Sequence, residues 1–189
     1  MSDASASPRR LVSGRARRIR RFCGLMSGAA LFFVLALPLL AAIHWFLTDP
    51  ATLAANYLAK PEWLGQFTWT GRLLPFAIFA MPMIVLCWSL WRVRSCFDEF
   101  AKGRLFSQRA IAGLRDFAIG MVLGALASPI ANTLLHLVLT WNAPEGQRVM
   151  VIALSSDTFL GLIFAGIIAI ICWVMGEAAE VAEENAQFV

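Results

Sequence analysis

Few side chains in this sequence have the types and spacing for chemistry. His44 and His136 are its only histidines, and two neutral imidazoles on facing helices would ligate a haem iron or a metal. The plainer reading of each is a hydrogen bond across helices or a place at the membrane interface. Ser128, Asn132 and Thr133 form a polar patch in an apolar stretch, with Pro129 among them. Proline has no N–H to give, so the patch offers a pocket for a small ligand or an ion. Its default role is hydrogen bonding between helices, at roughly 0.6 kcal/mol each. Asp157 follows Ser155 and Ser156 and reads as a helix-capping or interfacial acid. Only if the apolar run from Val149 is also buried does it lie deep enough to be a functional candidate. Cys23, Cys87, Cys96 and Cys172 show no metal-ligand spacing and read as packing residues in a reducing compartment. No nucleophile elbow, phosphate loop, zinc-protease signature or paired intramembrane carboxylate occurs. A non-enzymatic chain without a cofactor or metal is therefore expected.

The elements that must position these residues are set by where charge is missing. Of 189 residues, 59% are hydrophobic and 15% charged, against about a quarter charged in a soluble domain. Charged residues are absent from Phe22 to Thr48, Leu73 to Trp91, Phe117 to Pro144 and Thr158 to Gly176. Each block is long enough, at about 1.5 Å per residue, to cross a hydrocarbon layer of roughly 30 Å. The blocks do not alternate as barrel strands would. The expected fold is all-α: an integral membrane four-helix bundle with spans at about 22–47, 73–91, 117–141 and 156–175. The first block is too long for a cleavable signal peptide and reads as a retained anchor.

Cations fix the direction. Seven arginines precede the first span, and Arg92, Arg94, Lys102, Arg104, Arg109 and Arg115 lie between the second and third. Lys60, Arg72 and Arg148 are all that remain for the other two connections. The positive-inside rule makes the first set cytoplasmic, with both termini inside. The net charge of +4 reports this orientation and does not imply nucleic-acid binding. Residues 1–21 read as a disordered basic tail whose arginines meet anionic lipid, and residues 22–189 as the membrane domain. Tyr57, Trp63, Phe67 and Trp69 in the first outer connection resemble an interfacial aromatic belt. Gly24/Gly28, Gly120/Gly124 and Gly161/Ala165/Ala169 are spaced for close helix packing.

The inner connection, Arg92 to Asp116, is the most informative stretch. Val93, Cys96, Phe97 and Phe100 keep helical spacing, as do Ala110, Ile111, Leu114 and Phe117. Gly103 reads as a helix stop and Ser107 as an N-cap. The second and third helices should then extend into the cytosol as a hairpin of roughly 15 Å. Residues 176–189 form an acidic C-terminal helix whose Glu177, Glu180 and Glu184 share a face. That face either packs on the basic hairpin or is simply solvated.

Phe97-Asp98-Glu99-Phe100-Ala101-Lys102-Gly103-Arg104-Leu105-Phe106-Ser107, then Leu114-Arg115, then Ala182-Glu183-Glu184-Asn185 resemble a bacterial membrane family designated domain of unknown function 2975. The resemblance covers roughly residues 20–189. It implies four spanning helices, a Gly-x-x-Phe-Ser turn and a Glu-Glu-Asn tail, in a bacterial inner membrane. It puts Gly103, Arg104, Phe106, Ser107, Arg115, Glu183, Glu184 and Asn185 forward for partner binding or structure. Members are often encoded beside a small helix-turn-helix regulator, which implies a regulatory or sensory protein partner. The family tail commonly ends acidic-Leu-Thr-aliphatic, whereas Ala186-Gln187-Phe188-Val189 stands here, so a tail-specific role does not carry over. Two other functions remain open: a small transporter or permease-like homo-oligomer using the polar patch, and a haem or quinone redox protein using the histidines.

Overall fold

The computed structural model describes residues 8–57, 60, 69–141, 143–144 and 154–187. Among them the regular elements are α1 (Pro8–Leu47), α2 (Pro50–Asn56), α3 (Trp69–Ala101), α4 (Gln108–Leu139) and α5 (Ser156–Gln187). The four long helices contain the four charge-free blocks, and each is long and apolar enough to cross a bilayer. Their outward faces need one. Phe32 is 65% exposed, Leu35 66% and Ile163 58%, a surface that water would penalise and lipid satisfies. The chain is a multi-pass membrane protein.

α1 begins at Pro8, so the arginine run is helical where the sequence suggests disorder. Arginine is a good helix former, and nothing after Gly14 interrupts the continuation into the first span. α2 is likewise unforeseen. Its Leu53, 2% exposed, joins Trp45, Leu135 and Leu139 in a core at this end of the molecule. Tyr57, expected in an aromatic belt, also packs against that core, with its ring 6.4 Å from Trp45. Trp63, Phe67 and the side chain of Trp69 lie outside the described residues.

Packing follows chain order. α1 lies on α3, α3 on α4 and α4 on α5, and these are the extensive helix contacts among the described residues. The α3–α4 seam is closest. A Cβ added at Gly120 would collide with Ser89, and one added at Gly113 would come 2.9 Å from Arg92 O and 3.1 Å from Cys96 N. These pairings, with Arg92–Asp116 between them, recede on α4 as they advance on α3, the register of an antiparallel hairpin. Gly120 was legible as a packing glycine; Gly113 was not, because no second small residue stands four away. Gly24, Gly28 and Gly124 have no such neighbour within 4 Å, so the close approach expected there does not occur.

Prolines inside the spans leave carbonyls to be satisfied. Pro38 has no N–H for Val34 O, and the Cys87 thiol of α3 donates to that oxygen at 3.8 Å. At the C-terminal end of α1, the Arg72 guanidinium donates to the carbonyls of Phe46 (3.0 Å) and Thr48 (3.3 Å), closing the last turn of the helix where the dipole favours a cation. Trp45 Nε1 returns a bond to Arg72 O at 3.2 Å. Arg72 thus ties α1 to α3.

Candidate functional site

Two places gather polar groups: the tip joining α3 to α4, and a groove between α3, α4 and α5.

At the tip, α3 ends in a Schellman motif. Gly103 takes φ +79°, its N–H donates to Phe100 O at 3.0 Å, and Arg104 N–H donates to Glu99 O at 3.0 Å. Glycine is required there because other side chains strain in the left-handed region. Ser107 then caps α4, its Oγ accepting from Ala110 N at 3.2 Å. Both expectations hold. What sequence reasoning missed is Glu99. Only 3% exposed, it accepts from Lys102 Nζ at 3.0 Å and from Arg104 Nε at 2.7 Å. The hydrogen bond from Lys102 leads in holding its carboxyl below its ordinary value, while burial works the other way. One carboxylate therefore clamps both cations that flank Gly103. The signal was available as Glu99 at i−3 from Lys102 and at i−5 from Arg104.

Below the clamp, Val93, Cys96 and Ala110 are buried with Phe97, Phe100, Leu114 and Phe117 around them, so the two apolar stripes meet as their spacing implies. Arg92 Nε donates to Asp116 Oδ2 at 2.6 Å, and Arg115 lies 3.7 Å from Asp116 Oδ1. Ser27 on α1 donates to Asp98 at 2.7 Å. Beyond these pairs the tip turns Leu105 and Phe106 outward, 44% and 51% exposed.

The three acids of the hairpin, Asp98, Glu99 and Asp116, thus pair with its own cations, which outnumber them six to three. Among the described residues no ion pair joins its cations to the acidic end of α5. Glu180, Glu183 and Glu184 are exposed, Glu177 accepts from Trp173 Nε1 at 3.2 Å, and Asn185 donates back to Val181 O at 2.9 Å. The solvated-face reading of the tail is the one the contacts match.

The groove is a cavity of about 570 Å³ lined by α3, α4 and the start of α5. Ser128 and Asn132 lie in its wall with Asp157, but Thr133 does not; its hydroxyl donates to Pro129 O at 2.8 Å. The patch is therefore split. Asp157 does not act as the cap of α5, since that helix starts at Ser156. Ser155 occupies the cap position, with Thr158 N–H on its carbonyl at 3.0 Å and its hydroxyl 3.3 Å from that of Thr158.

The histidines are engaged separately. His44 Nδ1 lies 3.3 Å from the Thr48 hydroxyl on its own helix, while His136 Nδ1 lies 2.8 Å from Tyr57 O. Among the described residues no group of three or more His, Cys, Asp or Glu side chains could hold a metal ion. These contacts lend the haem or quinone reading no support.

No family model, no curated protein and no solved structure matches this chain. The resemblance to the family named above therefore rests on the residue pattern alone.

Proposed function

We propose that the chain is a non-enzymatic protein of a bacterial inner membrane, with both termini inside, whose α3–α4 tip binds a cytoplasmic protein partner in a regulatory or sensory role. The observation that carries this reading is the clamped tip. A turn fixed by Gly103, Glu99, Lys102 and Arg104 loses little freedom on binding, and it presents Leu105 and Phe106 beside cations. Exposed apolar side chains rimmed by charge on a rigid support suit a protein interface. A small helix-turn-helix regulator is the partner the family resemblance suggests.

A tip at the inner leaflet surface, in place of one projecting roughly 15 Å beyond it, is the height the α1–α3 register supports. Asp98 is level with Ser27 through their hydrogen bond. From Ser27 to Arg21 is roughly 9 Å of helix, and from Asp98 to Gly103 roughly 7.5 Å. The tip therefore ends where the basic run of α1 begins, among lipid headgroups, and a partner meets it there.

The test is co-purification of the full-length protein from cross-linked cells, wild type against Leu105→Ser/Phe106→Ser. One cytoplasmic protein at near-equal stoichiometry, lost from the variant, supports the reading; identical sets from both would defeat it. A second reading, a small transporter or permease-like homo-oligomer, draws support from the groove.

A further inference from the structure

The groove differs from the rest of the membrane domain in three ways. It has a floor without side chains, because Gly120, Gly124 and Gly161 supply it. Its apolar wall is soft, with Met83, Met121 and Leu86. Its polar groups are oxygens and one amide: Ser128, Asn132, Ser155, Thr158 and a single carboxylate, Asp157, with no cation among the lining residues. Pro129 also withholds an N–H from the carbonyl of Ala125, another lining residue.

The depth of Asp157 follows from the α4–α5 register. Gly161 faces Ala125, whose Cβ lies 3.5 Å from where its own would stand. Asp157 is four residues outward from Gly161, roughly 6 Å, while α4 continues fourteen residues outward from Ala125 to Leu139, roughly 21 Å. The carboxylate therefore sits about 15 Å short of the outer end of α4, by the same rise per residue. It is level with the start of α5, in that helix's first turn, but not with the outer end of α4. Among the described residues it makes no hydrogen bond or ion pair, and the capping work of α5 is done by Ser155 and Thr158. A carboxylate at such depth is costly unless something positive meets it.

We propose that this groove binds a hydrophobic organic cation: a positive head against Asp157, with Asn132 and Ser128 beside it, and an apolar body along Met83, Leu86 and Met121. The volume suits one drug-sized molecule, for which sites typically measure about 300–1,000 Å³. The same chemistry describes a soluble hydrophobic amine and an ammonium lipid headgroup. The inference shares the groove with the transport reading but requires binding alone; uptake that fails while binding persists removes transport and leaves the site.

The probe is tetraphenylphosphonium, titrated by equilibrium dialysis into the purified full-length protein in detergent, with tetraphenylborate as a control of the same shape and opposite charge. We expect saturable single-site binding of the cation and none of the anion. Asp157→Asn should weaken binding about tenfold or more, about 1.4 kcal/mol upward. Gly124→Phe should abolish it by filling the groove; a Cβ there meets nothing within 4 Å, and thermal unfolding checks that the variant still folds. Competition by phosphatidylethanolamine but not phosphatidylglycerol assigns the natural occupant to lipid; competition by neither assigns it to a soluble amine. Absence of saturable binding to the wild type, equal affinity in both variants, or equal competition by the two lipids would overturn the proposal.

Discussion

Ser27, well inside the apolar block of α1, donates a 2.7 Å hydrogen bond to Asp98, seven residues past the last apolar residue of the second block on α3. The charge-free blocks of the two helices therefore end at different heights. The charges of α3 from Arg92 onward lie beside apolar α1 residues such as Leu25, 69% exposed. Charges at that level have to be paired, and Asp98, Glu99, Arg92 and Asp116 all are. Nitroxide labels at Phe106 and Arg21 should accordingly show similar accessibility to an aqueous relaxation agent in proteoliposomes. A label at Phe106 far more accessible than one at Arg21 would restore the projecting hairpin.

The Glu99 clamp has a pH signature. Its carboxyl is held below its ordinary value chiefly by the hydrogen bond from Lys102. A group shifted down stabilises the fold fully above its unfolded-state value and loses that contribution as pH falls through the folded-state one. The tip should therefore resist trypsin, which cuts after Lys102 and Arg104, at neutral pH in inverted vesicles. With an acid-stable protease or hydrogen exchange as readout, it should loosen only below the usual carboxylate range. Glu99→Gln should be loose at every pH. A variant as protected as the wild type at neutral pH would show that the clamp does not hold the turn.

Gly120 and Gly124 were alike in the sequence and differ in the structure. Alanine at Gly120 would push into Ser89, an overpacking that should cost about 1–3 kcal/mol. Alanine at Gly124 meets nothing within 4 Å and should change stability by less than about 0.5 kcal/mol. Reversible unfolding in mixed micelles measures both, and equal effects would contradict the register.

Trp45 is 1% exposed, stacked 5.2 Å from Phe79 and bonded to Arg72 O. Trp45→Ala should cost about 3–5 kcal/mol in the same assay. Trp45→Phe, which keeps part of the packing and drops the N–H bond, should cost less. A mild effect of Trp45→Ala would mean that the core around α2 is not structural.

The four spans, the Gly103 stop, the Ser107 cap and the apolar stripes of the hairpin were legible because each follows from local spacing or a special backbone conformation. What escaped are relations between distant residues. Arg72 looked like a loop cation, yet it closes the end of α1. Asp157 looked like a cap, but its depth depends on where α5 starts relative to α4. Tyr57 read only as interfacial, and its contact with Trp45 depends on α2. Helical periodicity states which face is apolar; it carries no information on the vertical offset between neighbours, and here that offset sets the height of the tip and the depth of the acid.

The measurement that bears most directly on the central claim is photocross-linking from position 106 in living cells, with a benzophenone side chain replacing Phe106. The account predicts one discrete adduct with a cytoplasmic protein, lost when Arg104→Glu is added to break the clamp. Adducts with lipid alone, or a protein adduct unchanged by Arg104→Glu, would contradict a clamped tip that binds a partner.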